Sequence, residues 1–259
     1  MRVLFIGDIV GREAAAWMAE RLPGLRHEHA ADLVIANAEN MAFDPNRGDG
    51  QGQFGMTLPD VERLFAAGVD VVTSGNHAWD TNPAQTAAVH AHPRVLRPVN
   101  MPAHYPGKGI VTVEVAAAPV TVVNLATPDA IADALPPRQA WPALDLPGTV
   151  IVDLHAESMI KKHVVANGLD GAVAAVLGTH THEPSLHTYI LPGGTGFVPE
   201  VGMTGPLGGG QGMPGAGYRA TWEAGAWQPL PELAPGPLIL GAVVLEIVAG
   251  ETRSITRIS

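Results

Sequence analysis

The chain has 259 residues, 46% of them hydrophobic and 15% charged, with no cysteine and a formal net charge of −10. This supports a sizeable core and excludes a disordered chain, disulfides, thiolate zinc sites and a cysteine nucleophile. With no Lys/Arg run longer than Lys161-Lys162, the acidic balance argues against a long nucleic-acid partner; a small anionic substrate stays open, because bound metal ions would supply local positive charge.

In chain order, residues 2–6 (RVLFI) read as a first strand and 12–22, rich in Ala, Glu, Met and Leu, as a helix. Residues 32–36 (DLVIA) give a second strand. A helix is expected over 57–67, with Thr57 as its cap, Asp60 three residues on and Gly68 past its end. Residues 69–73 (VDVVT) are a third strand and 81–91 a third helix. This βαβα rhythm, with strands that read as continuous apolar runs, predicts a parallel sheet.

The pattern then changes. Residues 110–115 and 119–125 read as a hairpin around Ala116-Ala117-Ala118. Residues 149–153 are a strand, 157–167 a helix stopped by Gly168, and 172–177 a strand. Residues 186–191 and 194–198 form a hairpin through Gly193-Gly194; 238–248 and 251–258 form another through Gly250. Mixed parallel and hairpin strands with helices between them predict two sheets packed face to face, helices outside, in a single domain spanning 1–259. Segments 44–55 and 202–217 hold too much glycine for regular structure; each is either a wall or lid of a site, or a surface loop. The start at Met1-Arg2-Val3 reads as a strand rather than a leader, and no run approaches the ~20 apolar residues of a membrane span. A cytoplasmic location and no membrane partner are expected.

Polar clusters stand where the apolar runs stop: Gly7-Asp8, Ala38-Glu39-Asn40, Gly75-Asn76-His77, Asp153-Leu154-His155, Gly178-Thr179-His180 and Thr181-His182. In open α/β folds, ligands bind at the carboxyl ends of strands. Each cluster alone has an ordinary structural reading: an N-cap for Asp8, an ion pair for Glu39, a structural pair for Asn76-His77. His27/His29 and His90/His92 share the His-x-His spacing of His180/His182, but they lie at the ends of polar helical stretches and are expected at the surface. The glycine pattern of 210–215 matches a dinucleotide fingerprint in letters only, since no clear strand precedes it and Pro214 disfavours the helix start. Asp44–Asp49 lacks the glycine and glutamate of a calcium loop.

Asp8, Glu39, Asn40, Asn76, His155, His180 and His182 together offer oxygen and nitrogen donors and no sulfur. They are too many for one tetrahedral zinc and suit two divalent ions, with manganese, iron or zinc favoured over calcium. A two-metal centre is a standard device for displacement at phosphorus. His77 is then the unassigned general acid, with Asp80 placed to hold its imidazole.

The set GDIVG (7–11), NAEN (37–40), SGNHAWD (74–80), VDLHAE (152–157), GTHTH (178–182) and GMTGP (202–206) resembles the YmdB-like branch of calcineurin-type metallophosphoesterases. The resemblance implies a four-layer α-β-β-α sandwich and hydrolysis of small phosphodiesters, with 2′,3′-cyclic nucleotides favoured. It implies one metal ion on Asp8, Glu39, Asn40 and His182, another on Glu39, Asn76, His155 and His180, and His77 as the acid. Ions of manganese or iron come first, zinc or magnesium after them. The first motif departs from the usual Asp-x-His of metallophosphoesterases, since Asp8-Ile9-Val10 lacks an imidazole that Asn40 replaces. Segment 44–55 is long for the branch, and Glu200 stands where an Asp is expected. The alternatives are a phosphatase or nuclease on other phosphoesters, or a non-catalytic protein that uses the metals to hold a nucleotide. Homo-oligomerisation is left open.

Overall fold

In the computed structural model the described residues are 1–44, 54–228 and 232–258. Most of the glycine-rich stretch 44–55, including the Asp44–Asp49 run from residue 45 onward, lies outside them. The first half alternates strands with helices: β1 (Arg2–Ile6), α1 (Arg12–Glu28), β2 (Leu33–Asn37), α2 (Leu58–Ala67), β3 (Val71–Thr73) and α3 (Pro83–His90). There follow β4 (Ile110–Val115), β5 (Ala118–Ala126), α4 (Pro137–Ala140), β6 (Thr149–His155), α5 (Met159–Gly168), β7 (Ala175–Thr179), β8 (Tyr189–Ile190) and β9 (Gly196–Val198). The last part holds β10 (Gly205–Pro206), β11 (Gly209–Gly210), β12 (Met213–Pro214), α6 (Gly215–Ala224), β13 (Leu238–Ile239), β14 (Ala242–Val248) and β15 (Glu251–Ile258).

Two mixed sheets carry the fold. One has the order β15-β14-β1-β2-β3, the other β4-β5-β6-β7-β9-β8. Strands β1, β2 and β3 run parallel, as do β5, β6, β7 and β9. Successive side chains of a strand point to opposite faces, which divides the core into layers. Val3 and Phe5 of β1 meet Val122 of β5, Ile151 of β6 and Leu177 of β7 between the sheets. Leu4 and Ile6 point the other way, onto Ala15, Met18 and Leu22 of α1 and Val61 and Leu64 of α2. On the far side, Val152 and Leu154 of β6 pack with Ala166 of α5. The result is the expected four-layer α-β-β-α sandwich. Each buried Val, Leu, Ile, Phe or Met among them contributes roughly 1.5–3 kcal/mol. Among the described residues, no helix is long and apolar enough to cross a membrane.

Several local expectations change. Helix α1 continues past residue 22 through Pro23. A proline removes one helical hydrogen bond, but Leu22 and Leu25 on either side pack on the core and keep the helix whole. Segment 202–217 does hold regular structure: glycines with positive φ at 202, 208 and 212 make its turns, β11 and β12 pair as a two-residue hairpin, and α6 begins directly after Pro214. Pro214 occupies the cap position of α6, where its missing N–H costs nothing, so it starts the helix rather than disfavouring it. The assignment of His90 to the surface is also overturned. It is 5% exposed, and its Nε2 lies 3.0 Å from the Ala78 carbonyl, so it buttresses the loop after β3. His92 is half-buried and stacks on Phe65.

Candidate metal centre

The carboxyl ends of β1, β2 and β3 in one sheet and of β6 and β7 in the other meet at one edge of the sandwich. Two glycines permit the approach. A Cβ on Gly75 would lie 2.2 Å from the His155 imidazole, and one on Gly7 would lie 1.9 Å from the Gly202 carbonyl oxygen. Asp8, Glu39, Asn40, His155 and His182 are buried, whereas Asn76, His77 and His180 are partly exposed.

Polar contacts link all but one of these residues, through the side chain or, for His77 and His180, through the backbone N–H. Glu39 Oε1 is 3.3 Å from His155 Nε2, and Glu39 Oε2 accepts the His77 N–H at 2.9 Å. Asn76 Oδ1 is 2.8 Å from the same His155 Nε2. Asp8 accepts the His180 N–H at 3.3 Å and lies 4.0 Å from His182 Nε2. The His155 and His180 rings are 4.6 Å apart. The exception is Asn40, whose buried Oδ1 has no hydrogen-bond partner among the described residues.

Partners outside this set fix the tautomers. Gln211 O is 3.1 Å from His182 Nδ1. A carbonyl only accepts, so Nδ1 carries the hydrogen and the Nε2 lone pair faces Asp8. The Thr179 hydroxyl gives its single proton to Asp153 Oδ1 at 2.7 Å and stands 3.1 Å from His155 Nδ1, from which it can only accept. The His155 Nε2 lone pair is therefore aimed at Asn76 Oδ1 and Glu39 Oε1, and ionisation of Glu39 would leave three acceptors facing each other. For His77, Nδ1 donates to Asp80 Oδ2 at 2.6 Å, which leaves Nε2 for chemistry; the Phe54 ring packs on it at 4.7 Å. His180 is turned the other way, with Nε2 2.8 Å from Glu157 Oε2.

The electrostatics show a site short of positive charge. Burial pushes the Asp8 carboxyl up to about 8, with Glu200 adding to the shift. Burial, then Asp8, drives Glu39 well above the usual carboxylate range, and burial lifts Asp153 to about 7. The imidazoles of His155, His180 and His182 are lowered, first by burial, and so favour the neutral form that binds metals.

The donor set fits divalent cations. Glu39, His155 and His180 present ligand atoms within 4.8 Å of one another, Asn40 offers an orphaned oxygen, and converging acceptors of this kind need a cation between them. Sequence reasoning missed four supports of the site, namely Asp153, Thr179, Gln211 and Glu157. Asp153 and Thr179 stand in the strand-end polar clusters, but their partners, like those of Gln211 and Glu157, are brought near only by the fold.

The profile of YmdB-like proteins matches residues 4–258. The chain belongs to the YmdB-like family. A Bacillus subtilis (strain 168) protein named 2′,3′-cyclic-nucleotide 2′-phosphodiesterase is 34% identical over 228 residues, covering 82% of this chain and 79% of that protein. A Thermus thermophilus structure described as a hypothetical protein superposes on the YmdB-like chain with a TM-score of 0.87 at 34% identity, covering 100% of this chain and 98% of the other. The structure of a Mycoplasma pneumoniae phosphatase gives a TM-score of 0.89 at 28% identity, covering 100% and 92%. A putative 5′-nucleotidase of Staphylococcus aureus, 14% identical with a TM-score of 0.55, shares the fold over 99% of this chain and 53% of its own. As a YmdB-like protein, the chain is a phosphoesterase.

Proposed function

We propose that this YmdB-like protein is a dimetal phosphodiesterase of small cyclic nucleotides, with 2′,3′-cyclic nucleotides hydrolysed to 3′-nucleotides first among them. The carrying observation is the set of converging acceptors at the sheet edge: His155 Nε2, Asn76 Oδ1 and Glu39 Oε1 around one point, and Asn40 Oδ1 without a partner among the described residues. Asp8, Glu39, Asn40 and His182 would hold one ion, and Glu39, Asn76, His155 and His180 the other, with Glu39 shared. Imidazole, carboxylate and amide donors without sulfur favour manganese or iron, with zinc or magnesium as substitutes. When bound, such ions neutralise charge on phosphoryl oxygens and make water a nucleophile near neutral pH.

The remaining work falls to the chain's own side chains. Asp80 holds His77 Nδ1–H, so a protonated His77 presents Nε2–H. Water releases one proton to solvent and adds to phosphorus, the bond from phosphorus to the ribose 2′ oxygen breaks, His77 Nε2 gives that oxygen its proton, and the imidazole regains a proton from solvent. The 3′-phosphate stays on the ribose. The rings of Phe54 and Phe43, 5.2 Å apart, extend from His77 as an apolar wall. The net charge of −10 disfavours a long nucleic acid while leaving a small nucleotide admissible. The fold would act as one domain.

The named substrate of the Bacillus relative supports this choice. A Mycoplasma pneumoniae relative named as a putative phosphatase/phosphodiesterase, 31% identical over 218 residues, keeps the monoester reading in view. The test is a panel of 2′,3′-cyclic, 3′,5′-cyclic, linear and monoester substrates on metal-free protein reconstituted with manganese. Fastest turnover of a 2′,3′-cyclic nucleotide with a 3′-nucleotide product is expected. A preference for monoesters would replace the proposal with a phosphatase, and nucleotide retention without turnover would replace it with a binding protein.

A further inference from the structure

Beneath the loop that carries His180 and His182 lies an ion pair that the proposed chemistry does not use. Lys162 of α5 and Glu200, just after β9, are bonded to each other, and both side chains are 0% exposed. Replacing a buried ion pair by apolar side chains of similar volume is often neutral or stabilising, so stability alone is a weak reason for this one.

Its contacts point elsewhere. Glu200 Oε2 accepts from Lys162 Nζ, from the Thr181 N–H at 3.2 Å and from the Thr181 hydroxyl at 2.7 Å. Glu200 Oε1 accepts the Gly202 N–H at 3.3 Å. The main chain on either side is tied down in turn, since Arg257 donates to the carbonyls of Glu200 and Val201. The Lys162 stem passes over Gly178, where a Cβ would meet Lys162 Cδ at 3.1 Å and the Pro199 carbonyl oxygen at 1.9 Å. Thr181, the residue gripped, separates His180 at φ 100° from His182 at φ 63°. Non-glycine residues in such conformations persist only where their surroundings over-determine them. Glu200 accepts from all these donors, and Lys162 is the cationic partner beside it, with neither side chain exposed.

We infer that the Lys162–Glu200 pair is a positioning device for the metal centre: by clamping Thr181, it fixes the His180 and His182 imidazoles relative to each other and so fixes the pairing of two divalent cations. The inference rests on the reading of His180 and His182 as ligands of different ions. It makes Glu200 and Lys162 positioning residues, with no contact to substrate.

The test is titration of the metal-free full chain with Mn2+ by calorimetry, followed by electron paramagnetic resonance at two equivalents. Wild type is compared with Glu200→Gln, Lys162→Met and Thr181→Val, with far-UV circular dichroism reporting the fold. Partners behind metal ligands are worth about 10–100-fold in metal affinity. A loss of that size is expected for folded Glu200→Gln and Lys162→Met, with the exchange-coupled signal of a manganese pair giving way to the six-line signal of isolated ions. Thr181→Val removes one hydroxyl at a partly exposed position and should weaken Mn2+ by about 3–10-fold, at or below the low end of that range. Wild-type affinity and a coupled signal in folded Glu200→Gln and in Thr181→Val would reduce the pair to a packing role and overturn the inference. If Glu200→Gln does not fold, Thr181→Val decides by the same criterion. If wild type itself takes up no Mn2+, the metal-centre reading falls, and the clamp with it, a result plainly different from a wild type that binds two ions and variants that bind them equally well.

Discussion

Glu39 Oε1 and His155 Nε2 stand 3.3 Å apart, one from each sheet, and neither side chain is more than 1% exposed. The pair closes the sandwich at its site edge, yet burial drives the Glu39 carboxyl well up and the His155 imidazole well down, so together they favour neutral forms. A cation between them reverses that preference for Glu39 and uses the bare nitrogen of His155. Glu39→Gln keeps the shape and removes the charge. Metal content measured on purified protein should fall from two ions per chain, and affinity should drop by at least about 100-fold, the upper end for mere supporting residues. Retention of both ions by the variant would remove Glu39 from the shared position.

His77→Ala separates proton transfer from metal binding. The His77 side chain touches Asp80 through Nδ1 and the Phe54 ring, and only its backbone N–H reaches Glu39, so the substitution should leave metal content unchanged. Loss of a general acid costs about 10²–10⁴-fold in turnover. That loss is expected with a ribose leaving group and should nearly vanish with a nitrophenolate, which leaves without a proton. Equal losses on both substrates would show that His77 serves some other purpose.

What the sequence makes legible follows from where the information sits. Each proposed ligand stands next to the end of an apolar strand, so its place at a sheet edge is written locally; parallel strands then bring those ends together. Lys162 and Glu200 are 38 positions apart, and His182 and Gln211 are 29 apart. Neither pair has a pattern that announces it before the chain is folded. His90 misleads for a related reason. It ends a polar helix, but the loop after β3 and the turn at Gly107, where a Cβ would lie 2.8 Å from its Nδ1, cover it. Helix α6 hides because glycines that make turns precede it and a proline caps it.

Stability of the metal-free protein should depend on pH in a direction set by these groups. Asp8 and Asp153 hold their protons up to about 8 and about 7 in the fold, whereas unfolded aspartates release theirs near about 4. The stability kept by those protons is full below the unfolded value and is lost as pH rises to the folded values. His155, His180 and His182 are lowered from 6.5 and act oppositely, adding stability as pH rises to about 6.5. Above that point only the carboxylates remain. The melting temperature of metal-free protein should therefore fall between about pH 6.5 and 8, and added manganese should raise it most at the upper end, where the carboxylates are ready to bind. A metal-free melting temperature that climbs across this window would contradict the buried-carboxylate account.

Gly75→Ala probes the approach of the two sheets without changing any ligand. The added methyl would sit 2.2 Å from Nε2 and Cε1 of His155, inside van der Waals contact. Either the loop after β3 retreats or the imidazole turns away from Glu39 and Asn76. Overpacking of this kind costs about 1–3 kcal/mol, and both escapes move a proposed ligand, so metal affinity should fall together with stability. Gly24→Ala is the matched control. It lies in α1 with nothing among the described residues within 4 Å of its would-be Cβ, and alanine is favoured over glycine inside a helix by about 0.8–1 kcal/mol. The control should melt slightly higher and bind manganese as wild type does. Denaturant unfolding and metal titration of the two variants side by side check this. A Gly75→Ala protein that loses stability but keeps full metal affinity would mean that the loop after β3 yields without disturbing His155 or Asn76, and that the close packing at Gly75 serves the fold alone.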